Sequence, residues 1–543
     1  MPKSFLPLLI VLLFANVAYP AAKVLEVVTD ADGKMRFETR YKLTPAQPEE
    51  PFSKYSLYWD YAEQTEGNAA LFYEQAYTEM RIVEFHLSRE KNSNLLQKIW
   101  TKTIDDPPLE LAFLVENAMP TISHGKITPD MTPEKILETQ HDNFVWGNAN
   151  HIYDYSYPEY YEDFGSHLEE TRKMLNEYDR VFVLLEKGSR CEKCDFGISY
   201  RTAQPDFEDI SHYQNPRSLT RLLNAKIHFE IYEGRYVDAI KSIKTGMHLC
   251  KHISDEPTLI STLIGIGIHG YMHSTLMEML DRPDAPNLYW SITGRPNPYF
   301  NSWNPYRSEK AMLLLLIPSL KKAVDDPNSM TDEEWKLLFT QIDQMIKETY
   351  ENEADQIVEP IEIPEISVKA ALENSRKWLE SQGKSKEEID KMIPEKIVGL
   401  QLVHEIPCIL DGFFSDAYLP LWENMPKEED EDQPLFFQKR FAKFNLYSRY
   451  FAAQTQPAIQ AARGALRRTQ LQTDTLRISQ AIRIYMAEHD GNLPEKLDDI
   501  KSVPVPMIDP YTGKPFRYRL ENGVGIIEVP EHNLPLTVYF EKR

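Results

Sequence analysis

A chain of 543 residues with 42% hydrophobic and 11% aromatic content can bury a large core and is long enough for two or more domains. Its formal net charge of −23 argues against nucleic acid and anionic membrane surfaces as default partners. Four cysteines in this length exclude a disulfide scaffold.

Residues 1–22 read as a signal peptide. Lys3 is the positive n-region, Phe5 to Ala15 the apolar stretch, and Ala18, Ala21 and Ala22 the small residues after it. The apolar run is too short to span a bilayer comfortably, and no cysteine lies nearby to carry a lipid anchor. The mature chain is therefore expected to be periplasmic or extracellular, without a transmembrane helix. Residues 23–54 carry Val24, Leu25, Val27 and Val28, then Pro45, Pro48 and Pro51, which predicts a short strand or arm and a linker.

From residue 55 to 435 the pattern is that of a helical domain. Tyr58, Tyr61, Leu71, Phe72 and Ala76 fit a pair of helices, and Pro107-Pro108 breaks the chain before Leu109 to Met119. His151 to Phe164 is dense in aromatic residues: Tyr153, Tyr155, Tyr157, Tyr160 and Tyr161, interleaved with Asp154, Glu159, Glu162 and Asp163. Such rings stack on sugar faces while carboxylates accept from sugar hydroxyls, which makes this the candidate ligand surface. The same rings also serve to pack a loop onto the body with their polar tips outward. Cys191 and Cys194 are the one close cysteine pair. In an exported chain the pair reads as a local disulfide or as two inert thiols, since Cys250 and Cys408 lack the partner spacing of a zinc site.

The organising stretch is Arg221 to Leu280, which predicts three helices. Leu222, Leu223, Ile227 and Ile231 mark the first, Gly234 turns the chain, and Tyr236, Ala239, Ile240 and Ile243 rebuild an apolar stripe. After Ser254 to Pro257 the third runs from Thr258 to Leu280. With Ala225, Gly234, Tyr236 and Ala239 in place, the first two helices resemble a tetratricopeptide-type hairpin over one repeat. That resemblance implies an interaction scaffold with no chemistry of its own.

Three patterns here imitate functional motifs. Gly265, Gly267 and Gly270 fit a dinucleotide fingerprint but lie inside an apolar helical run, where glycine lets helices approach closely. His248 with His252, and His269 with His273, each share a helix face. The turn between their helices leaves the two pairs about 15 Å out of step, so no metal site is expected. His404-Glu405 suggests a metalloprotease, but Cys408 occupies the second histidine position and Pro407 is expected to break the helix.

Capping boxes at Thr331 to Glu334 and Ser385 to Glu388 start further helices, and Pro360 and Pro364 keep Val358 to Ile366 extended. Lys427 to Gln433 reads as an acidic, solvated loop, while Arg463, Arg467 and Arg468 form a local basic patch. Residues 436–543 change character. Helical patterning runs through Leu466, Leu476, Ile478, Ile482 and Tyr485 to Asp490-Gly491. Phe516 to Leu520, Val524 to Ile527 and Leu536 to Phe540 then predict a three-stranded antiparallel meander covered by that helix.

Tyr485, Gly491, Leu493-Pro494, Asp509-Pro510, Gly513 and Tyr518 give this module a resemblance to the soluble part of type II secretion pseudopilins, over roughly a tenth of the chain. The family's N-terminal hydrophobic helix has no counterpart at this point, so the resemblance implies a fold rather than a filament. The whole chain, including Pro286 to Trp290, resembles a family of large exported bacterial proteins, a resemblance that implies export and no particular activity.

The expected fold is mainly α: a helical-hairpin, repeat-like body with a small α+β C-terminal module carrying a three-stranded antiparallel sheet. The expected function is non-catalytic binding or scaffolding with a protein or glycan partner, without metal or cofactor. Two alternatives stand beside it. One is a glycan binder, by analogy with helical-repeat outer-membrane proteins of the SusD-like type. The other is a hydrolase using acids such as Asp411 and Asp416.

Overall fold

The computed structural model describes residues 26–29, 35–89, 168–197, 211–296, 298–301, 303–354, 366–414, 419–423, 444–529 and 536–543. The N-terminal arm forms β1 (Glu26–Thr29) and β2 (Met35–Leu43), an antiparallel pair. Next come β3 (Thr65–Asn68) and, directly after it, α1 (Ala69–Arg89). Helices α2 (Leu168–Glu177) and α3 (Asp179–Ser189) follow, and β4 (Cys191–Lys193) pairs in parallel with β3.

The predicted trio is present as α4 (Ser211–Tyr232), α5 (Tyr236–Ser254) and α6 (Leu259–Leu280). Gly234 makes the tight turn between α4 and α5 at φ 70°, where a side chain would be strained. The Thr258 hydroxyl caps α6 by accepting from the Ser261 amide at 3.0 Å. Helix α6 is apolar on every side, and such a helix belongs in the interior. Leu259, Ile264, Ile268, Met272 and Leu276 are all buried. It packs on both α4 and α5.

The body continues through α7 (Tyr289–Thr293), α8 (Trp303–Leu316), α9 (Pro318–Asp325) and α10 (Asp332–Ala354). It ends with α11 (Val368–Ser381), α12 (Lys386–Asp390) and α13 (Pro394–Phe414). Both capping boxes form. The Thr331 amide donates to Glu334 while the Thr331 hydroxyl accepts from the Glu334 amide, and Ser385 with Glu388 does the same. Helix α13 corrects one expectation, because it runs on through Pro407. The proline costs about 3 kcal/mol of helix, but Leu402, Ile406, Ile409 and Leu410 are buried around it and hold the helix against the core.

The longest element is α14 (Leu446–Glu488), 43 residues and so about 65 Å in length. Asn445 caps it, and the Asn445 amide donates to the buried Glu405 carboxylate of α13 at 3.0 Å. It packs on α13 and α6, and it also reaches β2. It ends where Asp490 and Gly491 take positive φ, the predicted stop. No helix among the described residues is long and apolar enough to cross a membrane.

The sheet differs from the expected one. The meander of β5 (Arg517–Glu521), β6 (Val524–Val529) and β7 (Leu536–Lys542) is present and antiparallel. It is not a three-stranded antiparallel sheet, however. Strand β2 adds in parallel to β7 and β1 adds outside β2, giving a mixed five-stranded order β1-β2-β7-β6-β5. A meander alone would leave the ladder groups of β7 unpaired on one edge, and the arm supplies the missing partner. On the inner face, Tyr41 and Leu43 of β2 join Ile527, Val529, Val538 and Phe540 in one core with Ile478 and Ile482 of α14. Leu520 is only half-buried, and the Tyr485 ring stacks on His489 at 3.8 Å.

The loop Ala285 to Leu288 fastens these layers together. Asn287 Nδ2 donates to the carbonyl oxygens of Ala46 and Gln480, and the Leu288 amide donates to Gln480 Oε1, each at 3.0 Å. Buried Arg483 donates to the carbonyl oxygens of Thr44 at 3.0 Å, Pro286 at 3.1 Å and Ala285 at 2.7 Å.

Candidate functional site

Helices α2 and α3 on one side and α4 and α5 on the other enclose a cleft of about 750 Å³. Its apolar wall is Leu175, Phe182, Leu223 and Phe229, presented by the helical spacing of each segment. Charges surround that wall in paired order. Arg172 pairs with Glu233, and Arg235 donates to Glu233 at 2.7 Å and to Asp238 at 2.8 Å. Lys241 reaches Glu186 at 2.8 Å, across from α5 to α3. Lys226 pairs with Glu230 one turn along α4 and also donates to Ser242 Oγ at 2.9 Å. The cations lie over the aromatic wall as well: Lys226 is 5.4 Å from the Phe182 ring centre and Arg172 is 5.9 Å from that of Phe229.

Burial alone would raise the carboxyls of Glu186 and Glu233. Lys241 and Arg190 outweigh it at Glu186, and Arg172 and Arg235 outweigh it at Glu233, so both are held below the usual carboxylate range. Carboxylates so held are poor proton donors near neutral pH, and the arrangement suits ionic recognition better than acid–base chemistry. Two acidic acceptors are left over. Asp179 makes no ion pair among the described residues, and the buried Oε2 of Glu230 has no hydrogen-bond partner among them.

Tyr153, Tyr155, Tyr157, Tyr160 and Tyr161 lie outside the described residues, as does Asp416. Cys191 is buried and Cys194 half-buried, both as free thiols, and burial raises both above the ordinary thiol value. Asp411 is exposed and ion-paired with Lys310. The basic patch is engaged locally: Arg463 donates to the carbonyl oxygen of Pro420 at 2.9 Å and Arg467 to that of Leu421. Glu405 accepts from Gln401 at 2.6 Å as well as from Asn445, which gives it a structural place rather than a metalloprotease one. Gly265 lies at the crossing of α5 and α6, where a Cβ would come within 2.6 Å of Ser254 Cβ and 2.9 Å of the Cys250 carbonyl oxygen. Gly267 faces open space.

The four histidines on α5 and α6 are buried and individually placed. His252 Nε2 faces the Cys191 carbonyl oxygen at 3.0 Å, which can only accept, so this nitrogen carries the proton and Nδ1 accepts from the Tyr73 hydroxyl at 2.7 Å. His248 Nε2 accepts from the Trp59 amide at 3.0 Å, and His269 Nε2 accepts from Arg295 at 3.1 Å. Burial lowers all four, to about 3 for His248 and His273 and about 4 for His252. They are neutral rings at physiological pH. Among the described residues no group of three or more His, Cys, Asp or Glu side chains is placed to hold a metal ion.

The cleft itself was not legible as a site, although part of its wall was. The i,i+4 pair Lys226–Glu230 and the cluster Glu233, Arg235 and Asp238 at the turn carry the signal of a charged helix face. Nothing in their spacing shows that α2 and α3 close over them. No protein-family model, no curated protein and no solved structure matches this chain.

Proposed function

We propose that this chain is an exported, non-catalytic binding or scaffold protein whose helical-hairpin body holds a partner polypeptide in the α2–α5 cleft. The observation that carries the reading is the cleft wall itself, an apolar surface of Phe182 and Phe229 bordered by the ion pairs Arg172–Glu233 and Lys241–Glu186. Such a surface offers a polypeptide both burial and oriented charge without supplying an activated nucleophile. The tetratricopeptide-like hairpin of α4 and α5 supports the same use, since stacked antiparallel helices create grooves between neighbours. At the far end, α14 over the β5–β7 meander is similar in outline to a pseudopilin soluble module, which fits assembly with other exported proteins.

A photo-reactive amino acid placed at Val183, exposed on the cleft rim, tests this in the cells that make the protein. A discrete adduct from Val183, and none from the equally exposed Leu337 on α10, is the expected result. The same adducts from both positions, or none from Val183, would overturn the proposal.

A further inference from the structure

We infer that the occupant of the α2–α5 cleft is a basic segment of a partner polypeptide, seated with one of its cationic side chains against Glu230 and Asp179. The inference rests on the cleft being the partner site and goes beyond it by naming the chemistry of the partner. Five carboxylates and four cations line the cleft. Each of the four cations is already engaged: Arg172 with Glu233, Lys226 with Glu230, Arg235 with Glu233 and Asp238, and Lys241 with Glu186. An acidic partner would therefore find no cation outside an existing pair. A basic partner would find acceptors without breaking any.

Those acceptors are specific. The side chain of Glu230 is 2% exposed, yet its Oε2 has no hydrogen-bond donor among the described residues. A buried carboxylate oxygen in that condition favours an added ammonium or guanidinium group. Asp179 stands at the first turn of α3, on the facing wall, exposed and outside every ion pair described. Phe182 and Phe229 line the same cleft and offer an apolar surface to an aliphatic stem. Lysine or arginine beside an apolar residue matches all three features.

The test uses the full chain with two labelled probe peptides, one alternating lysine and leucine and one alternating glutamate and leucine, followed by fluorescence anisotropy. The basic probe should bind, more weakly as salt rises, and the acidic probe should not. Glu230→Gln should weaken the basic probe about tenfold, and Asp179→Asn about threefold. Asp325→Asn and Glu373→Gln remove the same charge from exposed positions on α9 and α11 and should leave binding unchanged. If Glu230→Gln melts early, the exposed charge reversal Asp179→Lys replaces it, with a loss of about tenfold expected.

A basic probe insensitive to the cleft variants but weakened by the distant ones would reduce the effect to the overall charge of −23 and overturn the inference. Equal binding of both probes, or of neither, would overturn it too. An adduct from Val183 obtained alongside such a result would leave the cleft as the partner site and remove only the basic partner.

Discussion

Tyr41 stacks on Phe540 with ring centres 5.4 Å apart and planes within 9°, joining the N-terminal arm to the last strand of the chain. The two residues are register partners in the parallel β2–β7 ladder. The Tyr41 hydroxyl lies 3.2 Å from Thr475 Oγ1, so the same ring also ties the sheet to α14. One residue thus links the arm, the C-terminal strand and the longest helix.

Tyr41→Ala removes a fully buried aromatic side chain and should destabilise the fold by about 3–5 kcal/mol. Lys42→Ala, one residue on and exposed, should change stability by less than about 0.5 kcal/mol. Denaturant titrations of both variants check this. If Tyr41→Ala unfolds at the wild-type midpoint, the arm does not complete the sheet.

Arg483 holds three carbonyl oxygens from two segments far from it in sequence, and burial lowers its pKa to about 10. Arg483→Met would leave those carbonyls without their donor and should cost about 3–5 kcal/mol. Arg483→Lys should not restore the loss, because an ammonium cannot reach three acceptors in the plane of a guanidinium. Melting temperatures of the two variants, compared with wild type, decide the point.

Acid should destabilise this protein through its buried histidines. Their folded-state pKa values lie below the unfolded value of 6.5, so the unfolded chain takes up protons first. The stability they contribute is present above about pH 6.5 and is lost as pH falls toward about 4. Glu309, raised to about 7, and Asp474, raised to about 6, work in the opposite direction over part of that window. Burial also raises the carboxyls of Glu84, Asp343 and Glu405, which act in the same opposing sense, so the histidine contribution is read from a single-site variant. Replacing His252 with Gln should flatten the dependence of the denaturant midpoint between about pH 6.5 and 4.5. An unchanged slope would mean that His252 does not enter the folded core neutral.

Gly265 and Gly267 separate packing from sequence pattern. Gly265→Ala forces a Cβ against Ser254 and the Cys250 carbonyl oxygen, and should cost about 1–3 kcal/mol. Gly267→Ala meets nothing within 4 Å and should stabilise α6 by up to about 1 kcal/mol. A nucleotide-binding loop would lose function at both positions without this difference in sign. Thermal melts of the two variants give the comparison.

What the sequence determined by itself is local. Apolar spacing placed α4, α5 and α6, Gly234 marked their turn, Thr331 and Ser385 marked helix starts, and Asp490-Gly491 marked the end of α14. These features depend on hydrogen bonds and side-chain neighbours within about four residues, and that information is written in consecutive positions. The tertiary structure decided the rest. It placed β2 beside β7, carried α13 through Pro407 on the strength of the packing around it, gave Arg483 its carbonyls, and closed α2 and α3 over Lys226 and Glu230 to make a cleft. Each of these is a meeting of segments far apart in the chain, and spacing along one segment holds no record of the surface that a distant segment will present to it.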